Sequence, residues 1–358
     1  MYAAGDIRIE ERLLPRLEPG DVLVRTAASG VCSGDLMPWY VARKAPFVFG
    51  HEPAGTVVAY GGDEPAHLRD GATLALGDRV FAHHHAPCLA CRECAAGRYV
   101  HCATWRASAL EPGGMAEFFR VPRCNLADTL VLPPALSFVD GSLVEPLACV
   151  VKSLSRAFPG ELGTTARAER SESVRFRAGA LAGRTLYVIG AGVMGLMHVA
   201  VASALGAIVY ASDFHSTRRA EARRLGAADA YAPDDARDGL GRATDERLAH
   251  AVICGPGSSA ALEHAVDTTA ADGTLVMFTP LEPGTRFAFD QTGAYFRDLK
   301  IVASYSCGPD DTRDALALLA RGVVDAARLN VTECRFPDVQ AAYRLMQNAA
   351  CSKAVVVF

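Results

Sequence analysis

The sequence of 358 residues has no long uninterrupted apolar run and no large excess of charge of one sign. Between Met1 and Asp21 no apolar stretch has the length of a signal sequence, and the longest apolar runs elsewhere are broken by glycine. The net charge of -4, from 36 Lys and Arg against 40 Asp and Glu, provides no strongly basic face. These absences argue against nucleic acid and membrane partners and predict a cytoplasmic protein that acts on a small molecule.

Cysteine, in contrast, is abundant, because the chain has eleven. With no export signal, a tight group of cysteines is expected to bind a metal rather than to form disulfides. The tight group here is Cys88-x2-Cys91-x2-Cys94-x7-Cys102. Four thiolates at this spacing can surround one tetrahedral Zn²⁺ and leave no open position, so we predict a structural zinc site.

The other seven cysteines are scattered, and we expect most of them to be small core residues. They are Cys32, Cys124, Cys149, Cys254, Cys307, Cys334 and Cys351. A run of three histidines, His83 to His85, comes shortly before the cysteine cluster. Since a structural zinc already has four sulfur ligands, we expect these histidines to lie in a strand or an interface.

The hydrophobic pattern changes along the chain, which is long enough for two domains. Short alternating runs separated by Gly and Pro predict a β-rich domain over about the first 150 residues. From Thr185 onward, strand-like runs alternate with helical stretches, the pattern of repeated βα units and a parallel sheet. Between the two parts, residues 158–183 have no apolar period, and we predict a surface excursion there.

A glycine fingerprint, Gly190-x-Gly192-x-x-Gly195, follows the strand-like run Thr185 to Ile189 and opens a helical stretch. This order of strand, turn and helix places the pyrophosphate of a dinucleotide on backbone N-H groups at the helix start. We therefore predict a dinucleotide cofactor at this loop. The predicted contacts are Gly190, Gly192, Val193, Met194 and Gly195.

The next strand-like run ends in Asp213. Its carboxylate can accept hydrogen bonds from an adenosine ribose and would repel a 2'-phosphate, so NAD is favoured over NADP. Asp213 could instead be a helix N-cap or a solvated turn residue. Arg218, a further predicted cofactor contact, and Arg219 weaken the preference, because a nearby arginine can serve a 2'-phosphate.

Three short motifs remain. They are Gly30-Val31-Cys32-Ser33-Gly34-Asp35, Gly50-His51-Glu52-Pro53-Ala54-Gly55 and Val144-Glu145-Pro146-Leu147. Taken singly, each is more often structural than chemical. Together, and in this order with the cysteine cluster and the fingerprint, they resemble the medium-chain, zinc-containing dehydrogenases of the alcohol dehydrogenase superfamily, especially the sorbitol, threonine and butanediol dehydrogenase branch. The resemblance continues to the closing segments 299–305 and 335–337.

The resemblance implies an α/β protein with two domains. Residues 1–154 and 301–358 would form a GroES-like, β-rich catalytic domain with a structural zinc lobe at about 84–106. Residues 155–300 would form a Rossmann domain, a doubly wound parallel sheet that binds the dinucleotide, with the loop excursion at 158–183 inside it. Members of the family are homodimers or homotetramers, and we expect one of these here.

In the family, the matching cysteine, the histidine and an acidic residue bind a catalytic zinc, which makes Cys32 and His51 ligands here. Glu52 and Glu145 both match positions that bind metal in some relatives, and they could share or alternate in the third place. Zinc with an open position lowers the pKa of bound water to about 7, and an alcohol there should be acidified in the same way. Hydride then passes to NAD, which we expect in the cleft between the domains.

One position departs from the family pattern. Many relatives have Ser or Thr two residues after the ligand cysteine, where its hydroxyl receives the alcohol proton, but this chain has Gly34. Met37 stands where relatives have a histidine. Ser33, one position early, is therefore a candidate relay residue, with Glu52 or another group as alternatives.

The function implied is a zinc-dependent oxidoreductase that interconverts a secondary alcohol or polyol and its ketone or aldehyde, with two zinc ions per chain and NAD. The alternative is a family member that has lost turnover and acts as a nucleotide-binding scaffold or regulator, and the altered relay supports it. A zinc-free quinone or enoyl reductase is disfavoured, because those relatives lack the ligand set.

Overall fold

The computed structural model describes residues 1–162 and 176–358. Residues 163–175, which make up half of the predicted excursion at 158–183, lie outside the described residues. In the described part of the chain, no helix combines the length and the hydropathy needed to span a membrane.

The strands are β1 Val22–Gly30, β2 Pro53–Tyr60, β3 Arg79–Ala82, β4 Phe118–Val121, β5 Thr129–Val131, β6 Thr185–Ile189, β7 Ile208–Ser212, β8 Asp229–Tyr231, β9 Ala249–Cys254, β10 Thr269–Met277, β11 Lys300–Ala303, β12 Thr332–Arg335 and β13 Ala354–Val357. The α-helices are α1 Pro38–Ala42, α2 Arg92–Ala95, α3 Ala103–Ala107, α4 Phe138–Gly141, α5 Val144–Ala157, α6 Val193–Ala204, α7 Ser216–Arg224, α8 Pro233–Ala243, α9 Ser259–Thr268, α10 Gln291–Phe296, α11 Pro309–Ala320 and α12 Val339–Gln347. Short 3-10 helices cover Ser33–Leu36, Tyr99–His101, Arg123–Asp128 and Phe336–Asp338.

The described residues divide into two compact units. The first comprises Met1–Ala148 with Cys307–Phe358, and the second comprises Cys149–Ser306. The sequence placed the first boundary after 154 rather than 148, and the second before 301 rather than 307, so each differs by six residues. The first difference arises because that boundary falls inside helix α5, where no Gly or Pro follows Pro146 to mark it.

The first unit is built on a sheet with the strand order β12-β13-β1-β2-β3-β5, and β4 also pairs with β1. Its ladders are antiparallel except for the parallel pair β12 and β13. Alternate residues of a strand point to the same face, so Val22 and Val24 of β1 pack together with Val57, Val80 and Phe119 in one core cluster. The β-rich character predicted for this part of the chain is confirmed.

The second unit is a parallel sheet with the order β11-β10-β9-β6-β7-β8. Its central strand β6 is apolar after Thr185 and is buried along its whole length, as expected of a strand covered on both faces. Strand order runs outward from β6 in both directions, which makes the carboxyl ends of β6 and β9 a topological switch point, where such sheets bind ligands. The predicted doubly wound parallel sheet is confirmed.

The expectation that the scattered cysteines are mostly core residues is wrong. Cys254 and Cys307 are buried, but Cys124 is exposed and the other four are half-buried. Cys334 shows the reason, since it lies on the edge strand β12, where no residue is fully buried. Apolar neighbours in sequence do not distinguish an edge strand from a central one.

A buried polar network holds His83 in the first unit. Asp128 Oδ2 lies 2.7 Å from His83 Nδ1, and Asp128 Oδ1 accepts a hydrogen bond of 2.5 Å from the Thr312 hydroxyl. His83 Nε2 lies 3.6 Å from Cys307 Sγ. Through Asp128, the network ties the segment after β3 to helix α11.

Replacing Asp128 with alanine should therefore destabilise the first unit by about 2–4 kcal/mol, because it leaves the buried His83 ring without its carboxylate partner and removes one of the two acceptors of the Thr312 hydroxyl, the other being the Pro309 carbonyl oxygen. Both tryptophans of the chain, Trp39 and Trp105, lie in this unit, so tryptophan fluorescence during urea unfolding reports on it. Asp128→Asn, which keeps one acceptor, should lower the free energy of unfolding less. Asp63→Ala, at an exposed aspartate, serves as the control. Equal stability of Asp128→Ala and the control would contradict the structural role of the network.

Candidate active site

The ends of two paired strands bring the predicted catalytic ligands together. Cys32 follows β1, and His51 and Glu52 directly precede β2. Because Ser29 of β1 pairs with Pro53 of β2, the three residues lie at the adjacent ends of these two strands. Their ligand atoms all lie within 4.8 Å of one another.

Asp35 lies beside the histidine of this set. It is fully buried, and its Oδ2 lies 3.7 Å from His51 Nδ1. A carboxylate beside one ring nitrogen leaves the other nitrogen for a metal, which is the usual arrangement around metal-binding histidines. Burial lowers the pKa of His51, but Cys32 and Asp35 outweigh it and hold this pKa well above its ordinary 6.5. The cluster therefore favours a positive charge at its centre.

Glu52 has one carboxylate oxygen occupied and one free. Lys353 Nζ donates to Glu52 Oε2 and, at 3.0 Å, to the carbonyl oxygen of Val31, and both side chains of the ion pair are only 1% exposed. Glu52 Oε1 is buried and has no hydrogen-bond partner among the described residues. A buried carboxylate oxygen without a partner is costly unless a cation or donor is supplied.

Glu145, in the first turn of α5, is buried beside this set without joining it. The ligand atom of Glu145 lies within 4.8 Å of those of His83 and His84. In the set with Cys32 and His51, the acid is Glu52 instead. Burial raises the pKa of Glu145, and the charge of Glu52 raises it further, while His51 lowers it. The structure thus places Glu52 in reach of Cys32 and His51, and which acid binds the metal stays a prediction.

The donor set fits zinc. A thiol, an imidazole and a carboxylate are ligands that Zn²⁺ accepts, and three protein ligands leave the open position typical of a catalytic site. The free Oε1 of Glu52 supports the fit, because this carboxylate belongs to the set and its Oε1 is buried with no hydrogen-bond partner in the described chain.

The departure at position 34 lies against this centre. A Cβ added at Gly34 would be 3.5 Å from Cys32 Sγ and 3.8 Å from Met37 Cε, so a serine or threonine there would place its side chain beside the ligand sulfur. Ser33, the predicted relay residue, has an exposed side chain at the start of the 3-10 helix Ser33–Leu36. Its role as a relay stays a prediction.

The four clustered cysteines converge, as the sequence predicts. Neighbouring Sγ atoms are separated by 3.5 Å for Cys91 and Cys94, 3.6 Å for Cys88 and Cys102, and 4.0 Å for Cys88 and Cys94. These distances exclude disulfides and match the sulfur spacing of about 3.8 Å around a tetrahedral zinc with Zn-S bonds of about 2.3 Å. Burial raises the pKa of Cys102, but N-H hydrogen bonds from Cys88 and Trp105 bring it down to about 6. The lobe therefore fits a closed structural zinc site.

The fingerprint loop has the geometry that a dinucleotide needs. Gly190 has a φ of +87°, and a Cβ on Gly195 would be 2.0 Å from the Gly190 carbonyl oxygen, so both positions require glycine. A Cβ on Gly192 would meet no heavy atom within 4 Å, which leaves space for a phosphate. No side chain caps the start of α6 at Val193, so the N-H groups of its first turn, including that of Met194, are available to an anion.

Asp213 follows β7 and is 7% exposed. Its Oδ2 accepts a hydrogen bond of 2.9 Å from the Ala191 N-H, and Arg218 Nη1 lies 3.8 Å from the same oxygen. The N-cap of α7 is His215, so Asp213 is not the cap of this helix. Arg219 donates instead to the carbonyl oxygens of Asp213 and Phe214, at 2.8 and 2.9 Å. Arg218 is thus the arginine next to the carboxylate.

Comparison with known proteins identifies the family. Residues 18–131 match the alcohol dehydrogenase GroES-like domain, and residues 193–321 match the zinc-binding dehydrogenase domain. The chain belongs to the zinc-containing medium-chain dehydrogenase/reductases, as its motifs predicted. The GroES-like and Rossmann fold class is confirmed, and zinc and NAD(P) are the cofactors of such a chain. The residues that hold them stay predictions.

Within this family the chain is similar to enzymes named for sugars and polyols. It is 29% identical to sorbitol dehydrogenase 1 of Saccharomyces cerevisiae over 360 residues, which is 95% of this chain and 91% of the yeast protein. It is 26% identical to "Probable D-xylulose reductase A" of Emericella nidulans, over 98% of this chain and 93% of that protein. A zinc-binding dehydrogenase of Sinorhizobium meliloti 1021, solved with NADP, superposes with a TM-score of 0.80 at 25% identity, over 100% of this chain and 97% of its own.

Lys353 is a site residue that sequence reasoning missed, because it lies 301 positions from Glu52 in no motif. Lys353→Met should destabilise the zinc-free protein by about 3–5 kcal/mol, since it leaves a buried carboxylate unpaired. The same substitution should lower the free energy of unfolding of the zinc-loaded protein less, because the metal compensates the charge of the Glu52 carboxylate. Urea unfolding followed by tryptophan fluorescence, with zinc and with a chelator, measures both. The double variant Glu52→Gln/Lys353→Met should recover most of the loss, and equal losses in both states would contradict the role of Lys353.

Helix α6 carries a buried histidine one turn after Met194. His198 Nδ1 lies 2.7 Å from the Met194 carbonyl oxygen, its Nε2 contacts the Ser153 hydroxyl of α5, and its ring packs edge-on against Phe278. Burial lowers the pKa of His198 to about 4, so the ring stays neutral at pH 7. His198 thereby fixes the helix whose start is the predicted pyrophosphate site.

Acid should loosen this helix. The pKa of His198 is lower in the folded than in the unfolded chain, so its stabilising contribution is complete above pH 6.5 and disappears as the pH falls toward 4, at a cost of about 3 kcal/mol. Hydrogen exchange of α6 peptides, corrected for the intrinsic rate and followed by mass spectrometry, should show protection falling over this range. In His198→Gln, which keeps a donor and an acceptor, the protection of α6 should decrease less over this pH range. An identical decrease in the variant and the wild type would show that His198 is not its cause.

Proposed function

We propose that the protein oxidises a secondary alcohol, most simply one hydroxyl of a polyol, with NAD, and catalyses the reverse reduction. The observation that carries the proposal is the convergence of Cys32, His51 and Glu52, with a free buried carboxylate oxygen, in a chain that also presents an uncapped fingerprint helix. Sorbitol and D-xylulose, in the names of the relatives, support a polyol or its ketose as the substrate class.

The residues of the chain have distinct roles in this proposal. Cys32, His51 and Glu52 would hold the zinc, with the buried Glu145 as the alternative acid. Asp35 places a buried carboxylate beside His51 Nδ1, and Lys353 holds Glu52 by one oxygen so that the other is free. Bound zinc supplies Lewis acidity toward the substrate oxygen.

Asp213 supports NAD as the preferred cofactor, because a buried carboxylate disfavours a 2'-phosphate. Arg218 beside it is the group through which NADP could still be accepted. The alternative of an inactive nucleotide-binding scaffold receives no support from the relatives, which are named as enzymes. A homodimer or homotetramer and a cytoplasmic location stay predictions.

The test is a screen of secondary alcohols and polyols with NAD and NADP, together with metal analysis. The wild-type protein should form NADH with at least one polyol and contain two zinc ions per chain. Cys32→Ala should abolish NADH formation and retain one zinc, since the four-cysteine lobe is intact. Cys124→Ala, at an exposed cysteine, is the matched control. One zinc in the wild type, or turnover that survives in Cys32→Ala, would overturn the proposal.

A further inference from the structure

Two consecutive histidines after β3 and a glutamate of α5 form a second group of metal-binding side chains beside the catalytic set. One ring nitrogen each of His83 and His84 and a carboxylate oxygen of Glu145 all lie within 4.8 Å of one another. The predicted catalytic ligands meet the same limit, and the two sets have no residue in common. Two imidazoles and a carboxylate are ligands that Zn²⁺ and similar divalent transition metals accept.

His83 has the surroundings of a metal ligand. Its side chain is fully buried, and Asp128 Oδ2 lies 2.7 Å from its Nδ1. A carboxylate that accepts the proton of one ring nitrogen leaves the lone pair of the other, here Nε2, for a metal, which is how histidine ligands are commonly held. Cys307 Sγ lies 3.6 Å from His83 Nε2 and within 4.8 Å of a carboxylate oxygen of Glu145. A thiol is therefore in reach as a fourth ligand.

His84 brings a ring nitrogen without a partner to this group. Its Nδ1 is buried and has no hydrogen-bond partner among residues 1–162 and 176–358. The backbone is held in place, because the buried amide of Asn125 donates to the carbonyl oxygens of His83 and His84, at 3.0 and 3.1 Å. A buried polar atom without a partner is costly, and a bound metal ion satisfies it directly. The side chain as a whole is only half-buried, which gives an ion a path from solvent.

The local charge favours a second cation. Four groups close to the catalytic histidine are negative when ionised, namely Asp35, Glu52, Glu145 and the Cys32 thiolate. Lys353 and one zinc ion compensate three of these charges, so one negative charge remains. A second cation compensates it, but repulsion from the first zinc weakens its binding. The second position should therefore fill only when zinc is in excess, after the two tight sites.

We propose that His83, His84 and Glu145 bind a further divalent metal ion of the zinc type beside the catalytic centre, with Cys307 completing a tetrahedral set. The proposal goes beyond the proposed function, because it requires neither a substrate nor turnover. Ligand atoms around a tetrahedral zinc are about 3.3 to 3.8 Å apart for bonds of about 2.0 to 2.3 Å, so the set closes by about 1 Å when the ion binds.

The test is a calorimetric titration of the dialysed protein with zinc chloride, after metal analysis has counted the two tightly bound zinc ions. The wild type should bind one further zinc ion per chain. His84→Phe keeps an aromatic ring without the nitrogens and should weaken this step by about 100-fold or more, since loss of an outer partner alone typically costs about 10- to 100-fold. Retention of both tight zinc ions shows that the variant is folded.

Two further variants locate the site. Asp128→Asn removes the charge behind His83 and should weaken the further zinc ion by about ten-fold, the effect expected of an outer partner of a ligand. His67→Phe, at an exposed histidine of the same unit, should bind the further zinc ion as the wild type does. Equal weakening in His67→Phe and His84→Phe would contradict the assignment.

Three other outcomes would overturn the proposal. The wild type could bind no further zinc ion, or bind one that His84→Phe leaves unchanged, which would place the ion elsewhere on the surface. Loss of one of the two tight zinc ions from His84→Phe would make this residue a ligand of the catalytic metal instead. If the wild type forms no NADH with any alcohol, the proposed function fails, and the calorimetric comparison still decides the further metal site.

Discussion

Three buried carboxyl groups, those of Asp35, Glu52 and Glu145, lie around His51, and the protein provides too little positive charge for them. Among the described residues, Lys353 is the only fully buried lysine or arginine, and it reaches Glu52. Such a cluster is expensive to desolvate and is tolerated only when cations compensate it. The ligand set, the raised pKa of His51 and the ion pair beneath it are all consequences of this one constraint, and a divalent metal satisfies it.

The second unit meets its ligand by other means. Its fingerprint uses backbone rather than side-chain charge, since the loop at Gly190 and the uncapped start of α6 offer N-H groups to an anion. Side-chain contacts stabilise this arrangement, because the Ser153 hydroxyl of α5 contacts His198 Nε2 of α6 within the same unit. A rigid helix start is needed for the N-H groups to converge, so the buried histidine and the glycine turn serve the same end.

The features that sequence predicts well are those encoded over short spans. The four zinc-lobe cysteines lie within fifteen residues and the fingerprint within six, so spacing alone constrains their geometry. Lys353 could not be found in this way, because only the pairing of β1 with β2 and β13 brings it to Glu52. The same holds for His84, whose neighbours in sequence suggest a plain strand. Long-range contacts depend on sheet order, which local patterns leave open.

The loss of a hydroxyl at Gly34 and the presence of an unpaired imidazole at His84 belong to one site. A glycine at position 34 offers no hydroxyl beside the ligand sulfur, while the segment after β3 brings the ring of His84 to 4.8 Å from that of His51. The buried amide of Asn125 donates to two carbonyl oxygens of that segment, so its backbone is fixed by the fold itself and needs little further ordering when a molecule binds at the site.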